Sequence, residues 1–465
     1  MSEKLTRRRV LESAAAVCAG GLIGGVHAAQ PQPNFTLATF VADVTPSLGH
    51  PLMGGGIMHA ARIDDPLFAR GIVLGGAGSP IVIVGVDWCE IRNDAYARWR
   101  EALAQAAGTV RERVLVSCLH QHDAPVADLR AEAILRQHGA QASICDPEFH
   151  EQAVASVARA VAEAVKTPER LTHVGTATAR VEKVASNRRY EKADGTLSFG
   201  RTSACREPRA HEAPEGTVDP WLKTLSFWNE DRSLAAVSFY ATHPMSYYGQ
   251  GGVSSDFVGL ARRRRAADEP RIHQMYLSGA SGNVTAGKYN DGSPPMRVEL
   301  ADRIYRAMVS GWDNTKRRPL ETIQFRAAPL HLEPRDTPGF TAADLRERVA
   351  SDTRPFGRCL AALGLSWRER VERGQALDVP VVDFGFARLL QLPAESYVEY
   401  QLLAQRLGAD SFVAVAGYGE CAPGYIPTER SWDEDDTNLR DWCWVARGAE
   451  ARLTEAITAV LKPHG

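Results

Sequence analysis

Apolar positions along the chain fall into two rhythms. Short runs that alternate or are apolar throughout, rich in Val and Ile, predict strands at 35–44, 67–74, 80–89, 114–116, 171–184, 222–228, 234–240, 272–277, 321–332, 381–392 and 411–416. Between them, spacing near 3.6 predicts helices at 93–107, 147–165 behind the cap Asp146, after Ser254-Ser255-Asp256, and at 297–312, 341–351, 396–407 and 439–461. The run I-V-I-V-G-V at 81–86 is apolar on both faces and belongs in a covered sheet. Strands and helices alternate with no internal repeat and no low-complexity linker. The expected fold is therefore α/β: mixed sheets flanked by helices, in one domain over 29–465. Residues 190–218 are polar and aperiodic, and read as a long excursion.

Composition changes this picture little. Hydrophobic residues at 44% and charged residues at 24% describe a globular chain. A net charge of −2 gives no electrostatic case for a nucleic-acid partner. The first 28 residues read as an address: Thr6-Arg7-Arg8-Arg9 is a twin-arginine pattern, a short Ala/Gly-rich apolar stretch follows, and Ala28 ends a cleavage-like site. Export to the periplasm or beyond is expected, with no membrane-spanning segment left after cleavage. Seven cysteines then remain with no C-x-x-C pair, which argues against a thiolate zinc site. One bridge, between Cys421 and Cys443, is a pairing that an oxidising compartment would allow. The acidic run 433–436 reads as solvated surface.

Candidate chemistry gathers at the ends of the apolar runs. His120 and His122 follow the apolar run 114–116 one residue apart, a spacing that turns two imidazoles to one side. Arg188, His243, the Gly282–Thr285 loop, Glu395 and Tyr425 each lie at or beyond the carboxyl end of another run, where open α/β sheets collect ligands. His120, His243 and Glu395, with the Tyr425 phenol, form a donor set that zinc accepts. Taken singly, His243 reads equally as a core histidine, Glu395 as a helix N-terminal carboxylate and Tyr425 as packing. Asp123 either orients His122 or caps the next helix.

At these residues the chain resembles the neutral/alkaline, non-lysosomal ceramidases, over their N-terminal catalytic domain. The resemblance runs in order through D-V-T-P at 43–46, L-F-A-R at 67–70, S-C-L-H-Q-H-D-A-P at 117–125, S-N-R at 186–188, Y-A-T-H-P-M-S at 240–246 with S-S-D at 254–256, G-N-V-T at 282–285, L-P-A-E at 392–395 and G-Y-I-P-T at 424–428. It implies Zn2+ bound by His120, His243, Glu395 and Tyr425, with His122 and Arg188 in the active site and Thr285 at the position of the family's serine. The family loop has two tyrosines; one falls on Ala422 here. Asp123-Ala124-Pro125-Val126 departs from the family pattern, and no match to its C-terminal β-domain is found. The expected function is hydrolysis of an N-acyl amide, ceramide or a related compound. A lipid substrate would bring transient contact with a membrane surface. Two alternatives stay open: a smaller amide, ester or lactone at the same metal site, or a non-catalytic binding protein.

Overall fold

The structure is a computed structural model that describes residues 34–140 and 143–462. Residues 1–28, read from the sequence as an export address, lie outside the described residues. Three sheets share one plan. In the first, Thr36–Asp43, Phe68–Gly75 and Ile81–Val86 run antiparallel in turn. Helix Asn93–Ala107 then returns the chain so that Val114–Cys118 lies parallel beside Ile81–Val86, with Val86 opposite Cys118. In the second, His173–Arg180, Trp221–Asn229 and Arg232–Tyr240 are antiparallel, helix Asp256–Asp268 crosses over, and His273–Ser278 adds in parallel, with Tyr240 opposite Ser278. The third repeats this with Gln324–Leu330, Leu377–Asp383, Ala387–Gln391, helix Val398–Leu407 and Phe412–Ala416, which sets Gln391 opposite Ala416. The repetition is one of topology; the sequence carries no matching repeat.

The alternation of side chains explains why these strands are apolar on both faces. Ile81 and Ile83 point into a core shared with Leu225, Phe227 and Leu277 of the second sheet and Val382 and Leu389 of the third. Val82, Val84 and Val86 point the other way, into a core with Asn93–Ala107 and Pro147–Ala164. Helices Asp256–Asp268 and Pro294–Asp313 cover the outer face of the second sheet. The sheets approach closely: a Cβ on Gly85 would stand 2.7 Å from Leu277 Cδ2. Hence the α/β fold with helix-flanked mixed sheets is as expected from the pattern.

The three parallel pairs end together. Cys118 N donates to Tyr418 O (2.9 Å) and Gly417 N to Ser278 O (2.7 Å), while the Ser278 hydroxyl donates to Leu119 O (2.7 Å). These bonds link first sheet to third, third to second and second to first, closing a ring. Everything placed just beyond the strand ends is therefore held over one point.

Some elements differ from the pattern-based expectation. The stretch 381–392 is not one strand: the chain turns at Gly385 (φ +85°), and the residues divide between Leu377–Asp383 and Ala387–Gln391. Helix Pro355–Glu372 was not expected; Cys359 through Trp367 are all buried, so its sequence shows no polar face. The last helix starts at Ala449, after Gly448 (φ +93°), rather than at 439. Cys421 and Cys443 are free thiols, as are the other cysteines among the described residues. The acidic run is only partly solvated, since Asp436 is buried and accepts from the Tyr397 hydroxyl (2.8 Å). No described helix is long and apolar enough to cross a membrane.

Candidate metal centre

Beyond each parallel pair the chain leaves its sheet and places polar side chains over the ring. The first sheet delivers His120 and His122, the second His243, and the third Glu395, Tyr418 and Tyr425. Glu395 Oε2 lies 3.2 Å from His120 Nε2 and 2.9 Å from His243 Nε2. The two rings stand edge to face, centroids 4.8 Å apart. All three side chains are buried.

The opposite nitrogen of each ring is committed to the main chain. His120 Nδ1 meets Cys89 O at 3.0 Å and His243 Nδ1 meets Ser281 O at 2.6 Å. A carbonyl only accepts, so each Nδ1 carries its hydrogen, and a neutral ring turns a lone pair from Nε2 toward Glu395. Two lone pairs facing one carboxylate oxygen repel unless a cation sits among them. His120 Nε2 is buried with no hydrogen-bond partner. Main-chain anchoring of the far nitrogen is how metal-bound imidazoles are oriented, so the donor set fits zinc.

Burial raises the Glu395 pKa, but His120 and His243 outweigh it and hold the carboxyl well below the usual range. Burial, with the Arg188 guanidinium next, lowers His243 to about 4. Burial also opposes charge on His120, yet Glu395 outweighs it and the shift is upward. His120 and His243 thus move oppositely beside one carboxylate. Burial prevails at His243, with Arg188 Nη2, 3.3 Å from its Nε2, adding to it, whereas at His120 Glu90 and Cys89 O reinforce Glu395.

Tyr425 is the register partner of Glu395 in the short parallel pair Glu395–Ser396 and Tyr425–Ile426, so both side chains leave on one side. Arg188 Nη1 donates to its hydroxyl at 2.6 Å. Burial keeps the phenol protonated even beside this cation. His122 adds a third imidazole: nitrogens of His120, His122 and His243 lie within 4.8 Å of one another. Backbone strain is concentrated here. His120 (φ +70°), Ala394 (φ +54°) and Tyr418 (φ +54°) are left-handed without being glycine, each costing about 1–2 kcal/mol.

No family model and no curated protein matches the sequence. Solved structures do match it in three dimensions. The crystal structure of neutral ceramidase from Pseudomonas aeruginosa aligns with a TM-score of 0.67, covering 93% of this chain and 74% of that one at 16% identity. The fold is that of neutral ceramidase. A structure described as ceramidase complexed with C2 aligns equally well, at a TM-score of 0.67 and 16% identity, over 92% and 75% of the two chains.

Within this ceramidase fold, two expected residues have their polar atoms committed to other partners. Thr285 pairs with Ser186, and its Oγ1 lies 2.7 Å from Thr202 O and 3.0 Å from Arg201 O. The residue is fully buried, and the hydroxyl is engaged by those carbonyls. Among the described residues Asp123 makes no hydrogen bond to His122, and it caps no helix; Asp128 caps Leu129–Gln137. The Asp123 carboxylate instead accepts from Gly249 N (2.8 Å) and Arg297 Nη2 (3.4 Å), and burial raises its pKa to about 6.

Two residues missed in the sequence complete the setting. Tyr418 stacks flat on His120, centroids 4.1 Å apart, and its hydroxyl lies 2.8 Å from Ser281 Oγ. Glu90 is buried behind His120, paired with Arg92 at 2.7 Å and reached by Trp442 Nε1 at 3.1 Å. Beside Arg188 opens a cavity of about 200 Å³ lined by Asn187, Arg189, Glu399, Arg430, Glu434 and Asp436, with Phe199 and Thr217 of the polar excursion on its wall.

Proposed function

We propose that the chain is an exported, zinc-dependent hydrolase that cleaves an N-acyl amide, ceramide or a related N-acyl compound. The observation that carries this is the convergence of two main-chain-anchored imidazoles on one oxygen of Glu395. The amide class follows from the neutral ceramidases that share the fold. Zinc held by His120, His243, Glu395 and Tyr425 would supply Lewis-acid activation of water and of the scissile carbonyl.

The chain's own groups supply the proton transfers and the charge. Burial, then the neighbouring His120 and His243, push the His122 pKa well below its ordinary value, so its ring is neutral at pH 7. A neutral imidazole accepts the proton lost by the attacking water and returns it to the leaving nitrogen. Arg188, between His243 and Tyr425, holds a fixed positive charge where the carbonyl oxygen becomes negative. Export rests on the twin-arginine pattern at Arg7–Arg9.

The cavity beside Arg188 favours a second reading of the substrate. At about 200 Å³, with a mostly polar lining, it suits a small polar group better than a long acyl chain. Turnover of N-acylsphingosines of graded acyl length, compared with short N-acyl amines and esters, separates the readings. Preference for long-chain ceramide supports the first and preference for short polar amides the second. No turnover of any of them by zinc-loaded protein would overturn both.

A further inference from the structure

His122 differs from the other two imidazoles in that no hydrogen bond holds it among the described residues. Its Nδ1 is buried without a partner, whereas His120 and His243 each bond a carbonyl. Ring contacts are what remain. The rings of His120 and His243 lie 5.6 and 6.3 Å away, and Tyr248 is nearer, at 4.7 Å with an interplanar angle of 77°. That is the edge-to-face geometry aromatic pairs prefer, and Tyr248 is the one of the three outside the candidate ligand set.

Tyr248 is itself held from both sides. On its amino side, Arg297 Nη2 donates to Tyr247 O (2.6 Å), Arg297 Nε donates to Ser246 Oγ (2.9 Å), and the guanidinium lies 3.9 Å over the Tyr247 ring. On its carboxyl side, Gly249 N donates to Asp123 Oδ1 (2.8 Å). Gly249 is left-handed (φ +85°), a conformation that suits glycine. Asp123 is the residue after His122, and its other oxygen faces Arg297. A closed circuit results: the neighbour of His122 grips the neighbour of Tyr248, and Tyr248 packs on His122.

We infer that Tyr248 is a positioning residue that fixes the His122 ring, with Asp123 and Arg297 as the clamp that fixes Tyr248. The inference deepens the hydrolase reading by saying what aims its proton-transfer group, and it rests on that reading only for the purpose of the aim. It also gives Asp123, where the chain leaves the ceramidase pattern, a role in holding Gly249 and Arg297 rather than in chemistry.

The test reads the ring itself. Zinc-loaded wild type, Tyr248→Ala and Tyr248→Phe are treated with diethyl pyrocarbonate, and modification at His122 is followed by peptide mass spectrometry. An edge contact of ordinary strength would make His122 about five- to tenfold more reactive in Tyr248→Ala. Tyr248→Phe keeps the ring and should stay within about twofold of wild type, and Asp123→Ala, which frees Gly249, should move toward Tyr248→Ala. Melting temperatures of the variants identify any that fail to fold. Unchanged reactivity in folded Tyr248→Ala, or an equal rise in Tyr248→Phe, would overturn the inference. His122→Ala turnover is measured in parallel. If that variant keeps full activity, the proton-transfer reading fails while the ring result stands on its own.

Discussion

At His120 and His243 the ring orientation is set by the main chain, and this decides how the site residues behave under substitution. Cys89 O and Ser281 O hold the far nitrogens, so the near ones need no neighbouring side chain to aim them. Thr285 is the opposite case, a hydroxyl at the expected sequence position whose bonds go to the carbonyls around Thr202. Thr285→Ser should therefore leave kcat within about twofold of wild type. Thr285→Val should cost about 1–3 kcal/mol of stability by leaving buried carbonyls short of a donor, without a selective loss of kcat in the folded fraction. Urea unfolding and single-turnover rates check the two halves. Legibility at this scale followed strand ends. His120, His243 and Glu395 could be read because each closes an apolar run. Tyr418 could not, because an aromatic in a glycine-bearing loop gives no signal until it stacks on His120. Asp123 was read for its nearness in sequence to His122, while its partners, Gly249 and Arg297, lie far along the chain.

At the scale of elements, short connections past the strand ends carry the site, and their close packing makes them intolerant. A Cβ on Gly282 would stand 2.2 Å from Glu395 O, a main-chain atom that cannot swing aside. Gly282→Ala should thus displace Glu395, lower the melting temperature by the equivalent of about 1–3 kcal/mol, and weaken metal binding more than that loss of stability alone requires. Calorimetry with and without added zinc measures both. Elements with one wet face were legible: 93–107 and the cap at Asp146 emerged as expected. Helix Pro355–Glu372 was not, since a helix buried all along its middle has no polar stripe to mark its period. The stretch 381–392 reads as one strand because Phe384 and Phe386 around Gly385 keep the run apolar through the turn.

For the whole molecule, the threefold repetition of strand order and the ring of bonds at the sheet ends explain why residues some 275 positions apart, His120 and Glu395, meet at one oxygen. The α/β class was legible because burial on both faces leaves continuous apolar runs. The repetition was not, because Ile, Leu, Phe and Val fill equivalent core positions interchangeably. Burial also shapes the response to pH. It lowers His150, packed near Trp88, to about 4 from its ordinary 6.5. The contribution of neutral His150 is intact above pH 6.5 and is lost as pH falls toward 4, with a cost of about 2 kcal/mol at pH 5. His150→Phe should accordingly lose about 2 kcal/mol less than wild type between pH 7.5 and pH 5 in urea titrations. If the three sheets build one zinc site, the metal content of the purified chain shows it. Elemental analysis after gel filtration should find about one zinc per chain in wild type and in His122→Ala, and almost none in folded Glu395→Gln or His243→Ala. Folded wild type that takes up no zinc, or Glu395→Gln that keeps as much as wild type, would contradict it.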